Sequence, residues 1–342
     1  LVGGFGADTV LVSTASGGGA TNVTVRGGDA TDGGSVLDGD DSIDIDGTAS
    51  VVALYGNSGA DTLVIQGNAT QASIYGGKGD DLMSVEGNLS SGEIFGGSGL
   101  DTLIVTGTLQ GGASLYGGSG SITTDEEDSI SLGAISVGTV YANEGNDTVI
   151  VANTSKKSSI YGGSGNDSVS VNGNFSAGVV KGDDGADTLK FGAAVQKSSS
   201  LYGGAGADLI SAASGITSAS AYANQDDDTV VIAGASKLAS LYGGGGDDSI
   251  SAAALNTVYY EGGVGDDTIV AGAVTKGSLY GGNTVSTDDG NDNFDINGAV
   301  SGAYISGGTG NDSIDTSTHV TASSLFVGDG NDTLVVAGSV TT

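Results

Sequence analysis

The chain has 342 residues, with 65 Gly and neither Pro nor Cys, and its 41 acidic residues face 9 basic ones for a net charge of −32. Missing Pro excludes collagen, missing Cys excludes disulfide frameworks and thiolate metal sites, and the negative field disfavours nucleic acid and anionic membranes as partners. The 37% of hydrophobic residues recur at fixed places, which argues against simple disorder, and no apolar run reaches the roughly 18 residues of a membrane-spanning helix.

From Leu1 the chain starts inside a repeat, without Met or a leader-like segment, which fits a piece of something longer. Asp8 closes the first glycine-rich turn. The same turn returns at Asp41, Asp61, Asp81, Asp101, Asp128, Asp147, Asp167, Asp187, Asp208, Asp228, Asp248, Asp267, Asp292, Asp312 and Asp332. Most gaps between these residues are 19 to 21 positions, and the three longer ones hold insertions at 27–41, 117–128 and 281–292. The insertions are expected to interrupt one edge and project from it. They are candidates for lattice or partner contacts, with neutral loop variation equally open.

Within each repeat the residues two and four places after the Asp are apolar, as in Leu63 and Ile65, Val149 and Val151, or Val230 and Ile232. Alternation of this kind marks a strand with one face inward. A second short strand precedes the glycine pair and turns Leu54, Ile74, Leu115, Ile160, Leu201, Leu241 or Leu279 inward. Each unit therefore reads strand, loose polar turn, strand, glycine turn. About twenty residues suit one flattened coil, and a single coil cannot bury its apolar face without neighbours. The expected fold is all-β: a right-handed parallel β-solenoid of about sixteen coils, running as one continuous domain over 1–342.

A carboxylate in every coil would stack like charges about 4.8 Å apart along one edge. A hard divalent cation resolves the repulsion, and calcium takes six to eight oxygen ligands, carboxylates and backbone carbonyls among them. Glycine reaches positive φ at little cost, so the turn can aim carbonyls at one centre. The expected ligands are the sixteen aspartates together with turn glycines Gly77, Gly79, Gly97, Gly99, Gly163, Gly165, Gly204, Gly206, Gly244, Gly246, Gly263, Gly265, Gly308 and Gly310. Tyr141-Ala142-Asn143 and Tyr222-Ala223-Asn224 replace the glycine pair, and a weaker ion site is expected there.

Gly162 to Ser170 and Gly307 to Asp315 carry the complete nonapeptide Gly-Gly-x-Gly-x-Asp-x-apolar-x, and Gly76 to Ser84 and Gly243 to Ser251 carry it too. In this the chain resembles the RTX, or haemolysin-type calcium-binding, repeat proteins of bacteria. The resemblance implies calcium-bound parallel β-rolls, type I secretion and folding outside the cell. One turn per twenty residues departs from the tandem form, so one ion-lined edge is expected here and not two.

Aromatic residues before the glycine pair (Tyr55, Tyr75, Phe95, Tyr116, Tyr141, Tyr161, Tyr202, Tyr222, Tyr242, Tyr280) are expected to form an exposed stacked ladder, with polymer binding as the alternative. Ice binding by outward Thr and Asn would require Gly-Thr-Gly-Asn-Asp turns. Only Gly308 to Asp312 has that sequence. His319 is the only His, no nucleophile motif occurs, and no enzyme activity is expected. Sequons at Asn22, Asn68, Asn88 and Asn174 arise readily from this composition. The expected function is a calcium-binding structural segment of a secreted bacterial surface-layer or cell-surface protein, with self-association or other surface proteins as partners. The alternative is a folding and secretion segment of a larger toxin, adhesin or exoenzyme.

Overall fold

The computed structural model describes residues 1–4, 6–13, 19–28, 38–118, 126–282 and 289–341. Two compact units are present, Leu1–Asn172 and Gly173–Thr342. Each is a parallel β-solenoid, and the described residues contain no helix. They make about 14 turns at about 20 residues per turn, fewer than the sixteen coils expected. All sixteen marker aspartates lie among the described residues, but Asp8 and Asp332, near the two ends, are only half-buried, whereas the fourteen between them are buried.

The coil that follows Asp61 shows how the sequence builds the fold. Thr62–Ile65 alternates half-buried and buried side chains, placing Leu63 and Ile65 inside with no exposure. The two-residue strand Ala69–Thr70 comes next, and then Ser73–Lys78, which buries Ile74. Each strand pairs in parallel with its copy one coil on: Leu63 with Met83, Ala69 with Leu89, and Ile74 with Ile94. Equivalent positions thus stack on equivalent positions, and the core grows by repetition.

The short middle strand was not expected. The polar Gly67-Asn68 corner leads directly into an inward column of Ala69, Leu89, Leu109 and Ile135 in the first unit, all buried. Beyond it, one or two residues per coil take the left-handed conformation whatever their type, including Val51 (φ 53°), Gln71 (φ 51°), Lys157 (φ 50°) and Leu238 (φ 50°). At the corner itself Asn68 Oδ1 accepts from the Asn88 N–H at 2.8 Å, and Asn88 Oδ1 from the Thr108 N–H at 2.7 Å. Two of the sequon asparagines therefore hold the coils together.

In the first unit Tyr55, Tyr75, Phe95, Tyr116, Tyr141 and Tyr161 stack face to face, 4.5–5.1 Å apart and within 9° of parallel. The guanidinium of Arg26, the chain's only Arg, lies 4.1 Å from the Tyr55 ring centre and closes one end of the column. In the second unit Lys181 stands 5.5 Å over Tyr202, followed by Tyr222 and Tyr242. Glu261 then occupies the tyrosine register, and Tyr259, two residues earlier, leans in at 43° and donates to Glu261 Oε2. Rings stacked in this way cover one another's faces. A sugar ring finds no free π-face inside the column.

Candidate metal centre

The turns between Ser73–Lys78 and Leu82–Val85, and their copies in every coil, carry the aspartates along one edge of each unit. Gly77 and Gly79 adopt φ of 127° and 110°, a region that excludes most side chains. Gly97, Gly99, Gly163, Gly165, Gly204, Gly206, Gly244, Gly246, Gly263, Gly265, Gly308 and Gly310 repeat the geometry. Asn143 and Asn224 hold the same place at φ 87° and 93°, as the sequence suggested, and Asn57 does so at 86°.

The aspartates form a hydrogen-bonded ladder. In the first unit the N–H of Asp8, Asp41, Asp61, Asp81, Asp101, Asp128 and Asp147 each donates to Oδ1 of the next aspartate at 2.6–2.8 Å. The second unit repeats this from Asp187 to Asp332 at 2.7–2.9 Å. Asp41, Asp128 and Asp292, which border the insertions, keep their places in the ladder. The insertions themselves lie largely outside the described residues, at 29–37, 119–125 and 283–288.

With Oδ1 engaged, the other oxygen is left over. Oδ2 of Asp61, Asp81, Asp208, Asp228, Asp248, Asp267, Asp292 and Asp312 is buried and receives no hydrogen bond. All but Asp228, whose turn has Ala223 there, lie against the first glycine of their own turn. A β carbon on Gly76 would collide with Asp81 Oδ2 and with the Gly96 carbonyl of the next coil. Ala142 and Ala223 place a β carbon at this position, which narrows the space beside Asp147 and Asp228.

Burial in this stack makes the charged form costly. Desolvation, opposed by the backbone hydrogen bond and reinforced by neighbouring carboxylates, pushes Asp81, Asp228 and Asp267 up to about 8. It lifts Asp208 and Asp292 to about 7, and Asp61 and Asp248 to about 6. No Lys or Arg is buried among the described residues. Protons or bound cations must therefore neutralise this column.

Among the described residues no three acidic or histidine side chains converge on one point. The marker aspartates stand one per coil, spaced by the sheet, so any cation beside them would draw most of its ligands from carbonyls. The donor set is all oxygen, which matches hard divalent ions.

A second ladder was missed in the sequence. Just outside the first, Asp40 Oδ1 accepts from the Ala60 N–H at 2.8 Å, Asp80 Oδ1 from Leu100 at 3.0 Å, and Asn146 Oδ1 from Asn166 at 2.7 Å. In the second unit Asp227, Asp247, Asp266, Asn291 and Asn311 continue it. Its signal was present as the Asx residue immediately before ten of the sixteen marker aspartates.

No family model matches the chain, and no curated protein matches it. Among solved structures it is similar to the X-ray crystal structure of a hyperactive, Ca2+-dependent, beta-helical antifreeze protein from an Antarctic bacterium. The two share 20% identity over 89% of this chain and 85% of that one, with a TM-score of 0.57. At that identity the likeness establishes the fold. No described helix is long and apolar enough to cross a membrane.

Proposed function

We propose that this chain is a calcium-stiffened structural segment of a secreted bacterial surface protein, with the aspartate edge as its ion ladder. One observation carries the reading: a column of buried carboxylates, of which Asp61, Asp81, Asp208, Asp248, Asp267, Asp292 and Asp312 each keep an oxygen left over beside a side-chain-free glycine, and no buried basic residue among the described residues to neutralise them. The marker aspartates would supply Oδ2, and turn glycines such as Gly77 and Gly79 would supply carbonyls. Bound calcium would hold the carboxylates ionised and tie each coil to the next. The calcium dependence of the antifreeze protein of similar fold supports this assignment. The role is mechanical, and no residue is given a catalytic part.

Far-UV circular dichroism during a calcium titration from a chelated start at neutral pH tests the reading. A cooperative rise in β signal is expected. Complete folding in chelator, unchanged by calcium, would overturn it.

A second reading, ice binding, is favoured by the fold likeness alone. Residues in the outward turn column include Ser58, Lys78, Ser98, Ala205, Gly245 and Val264, mixed in size and charge, which counts against a flat ice-matching surface there. Thermal hysteresis measured with calcium present decides between the two. The third reading, a folding and secretion segment of a larger toxin, adhesin or exoenzyme, predicts an active module elsewhere in the parent protein.

A further inference from the structure

The strands that follow the aspartates present two outward columns, and in the first unit these are free of charge over six successive coils. In a chain of net charge −32, a bare strip of this length is unusual. The outer of the two columns alternates strictly. Val64 pairs with Ser84, Ser84 with Ile104, Ile104 with Ser131, Ser131 with Ile150, and Ile150 with Ser170. The second unit repeats the alternation through Ser211, Val231, Ser251 and Val270. Branched aliphatic ridges thus stand about 9.6 Å apart, two strand spacings, with serine grooves between them. They remain open to solvent: Ile150 is 39% exposed and Val231 38%.

A two-coil corrugation is a poor match to a uniform flat surface, but it matches another copy of itself. A two-fold axis lying in the interface, level with the midpoint between Ile104 and Ser131, sets the ridges of one copy against the grooves of the other. Ile104 then faces Ser131 of the second copy, Ile150 faces Ser84, and Val64 faces Ser170. Sheets packed face to face interdigitate side chains in this manner, and a two-fold interface must be self-complementary. On the highly acidic surface of this chain, such a strip also lets two copies approach without apposing like charges.

We propose that this face is a self-association surface, on which two calcium-folded copies pack antiparallel with ridges in grooves. The proposal rests on the structural reading above and names its partner as a second copy. Six coils of four-residue strands span about 400 Å² in projection, half of the roughly 800 Å² per partner in a standard stable interface, so association through one unit is weak and concentration-dependent.

Sedimentation equilibrium of the full chain in calcium, with circular dichroism as the folding control, tests it through three variants. Ser131→Ile fills a groove while adding apolar surface and should weaken association about ten-fold. Ile104→Ser removes a ridge and should weaken it too. The double variant I104S/S131I exchanges ridge and groove and should restore the wild-type constant. Non-specific hydrophobic sticking predicts the reverse for Ser131→Ile, and stronger association by that variant overturns the proposal. A chain that folds with calcium yet stays monomeric at millimolar concentration overturns it while leaving the calcium reading intact. A monomer that adsorbs to ice or insoluble polysaccharide through this face overturns it in favour of a foreign surface. Folding and association unaffected by chelator would instead retain the interface and remove the calcium reading.

Discussion

The backbone N–H of Asp61 donates to Oδ1 of Asp81, one coil further along, at 2.8 Å. One residue away the direction reverses, because Ala60 donates to Asp40 in the preceding coil. This turn is therefore clamped from both sides by bonds of opposite polarity, and the inner bond leaves Asp81 Oδ2 buried without a donor. Asp81→Asn keeps an acceptor and removes the buried charge. In chelator at pH 8 it should melt higher than the parent chain, and in calcium lower. Asp81→Ala strands the buried Asp61 N–H and should cost about 1–3 kcal/mol in both conditions.

The pH dependence follows from the same burial. Asp61, Asp81, Asp208, Asp228, Asp248, Asp267 and Asp292 lie at about 6 to 8 when folded, against an ordinary aspartate value of 3.8. Between those values the folded chain binds more protons than the unfolded one. Their contribution is fully present below the ordinary value and is lost as pH rises through the folded values. Denaturant melts in chelator should show a more stable fold at pH 5 than at pH 8. Calcium should flatten or reverse the slope. Greater stability at pH 8 without calcium would contradict this assignment.

Gly77 sits at φ 127°, and a β carbon there would collide with the Asn57 carbonyl one coil back. Gly77→Ala should lower stability by more than about 2 kcal/mol. Gly77→Asn should cost less, since Asn57, Asn143 and Asn224 already occupy the equivalent place.

The left-handed corner makes the opposite kind of prediction. Val51 and Leu238 are 46% and 54% exposed at φ 53° and 50°, where a β-branched or bulky residue is strained and trimming it costs only the packing of a half-exposed side chain. Val51→Gly or Leu238→Gly should raise stability by up to about 1 kcal/mol, read as a higher midpoint in urea.

Tyr260 lies in the inward leucine column between Leu241 and Leu279, fully buried, and its hydroxyl has no hydrogen-bond partner. Tyr260→Phe relieves that desolvation and should stabilise the fold by about 1 kcal/mol. A loss of stability would show that the hydroxyl is satisfied in solution.

The repeating strands could be read from spacing because Leu63, Ile74 and their copies return at a fixed interval, and stacking converts interval into contact. Ala69–Thr70 could not, since two residues carry no periodicity of their own. The corner residue was invisible for a different reason. Gln71, Lys157 and Leu238 share a backbone conformation and no chemistry, so the fold imposes φ on whatever residue is there. Tyr259 reached the aromatic column from the wrong register, by leaning over Glu261. At the candidate metal edge the aspartates were legible by residue type. Which oxygen is engaged and which is left over depends on the coil above, and only the stacked structure supplies it. The alternation of Val64, Ser84 and Ile104 escaped a search tuned to one coil because its period is two.

The opposed ladders also bear on how such a chain can change length over generations. Within each unit successive coils give and receive the same inner aspartate bond, so a gene that loses or duplicates one whole repeat there encodes a protein in which that bond is remade. The corrugated face is less forgiving. Adding a single coil leaves the interior intact but shifts ridges to grooves in everything downstream, whereas adding two restores the phase. Even steps in repeat number conserve both the fold and its surface, and odd steps conserve the fold alone.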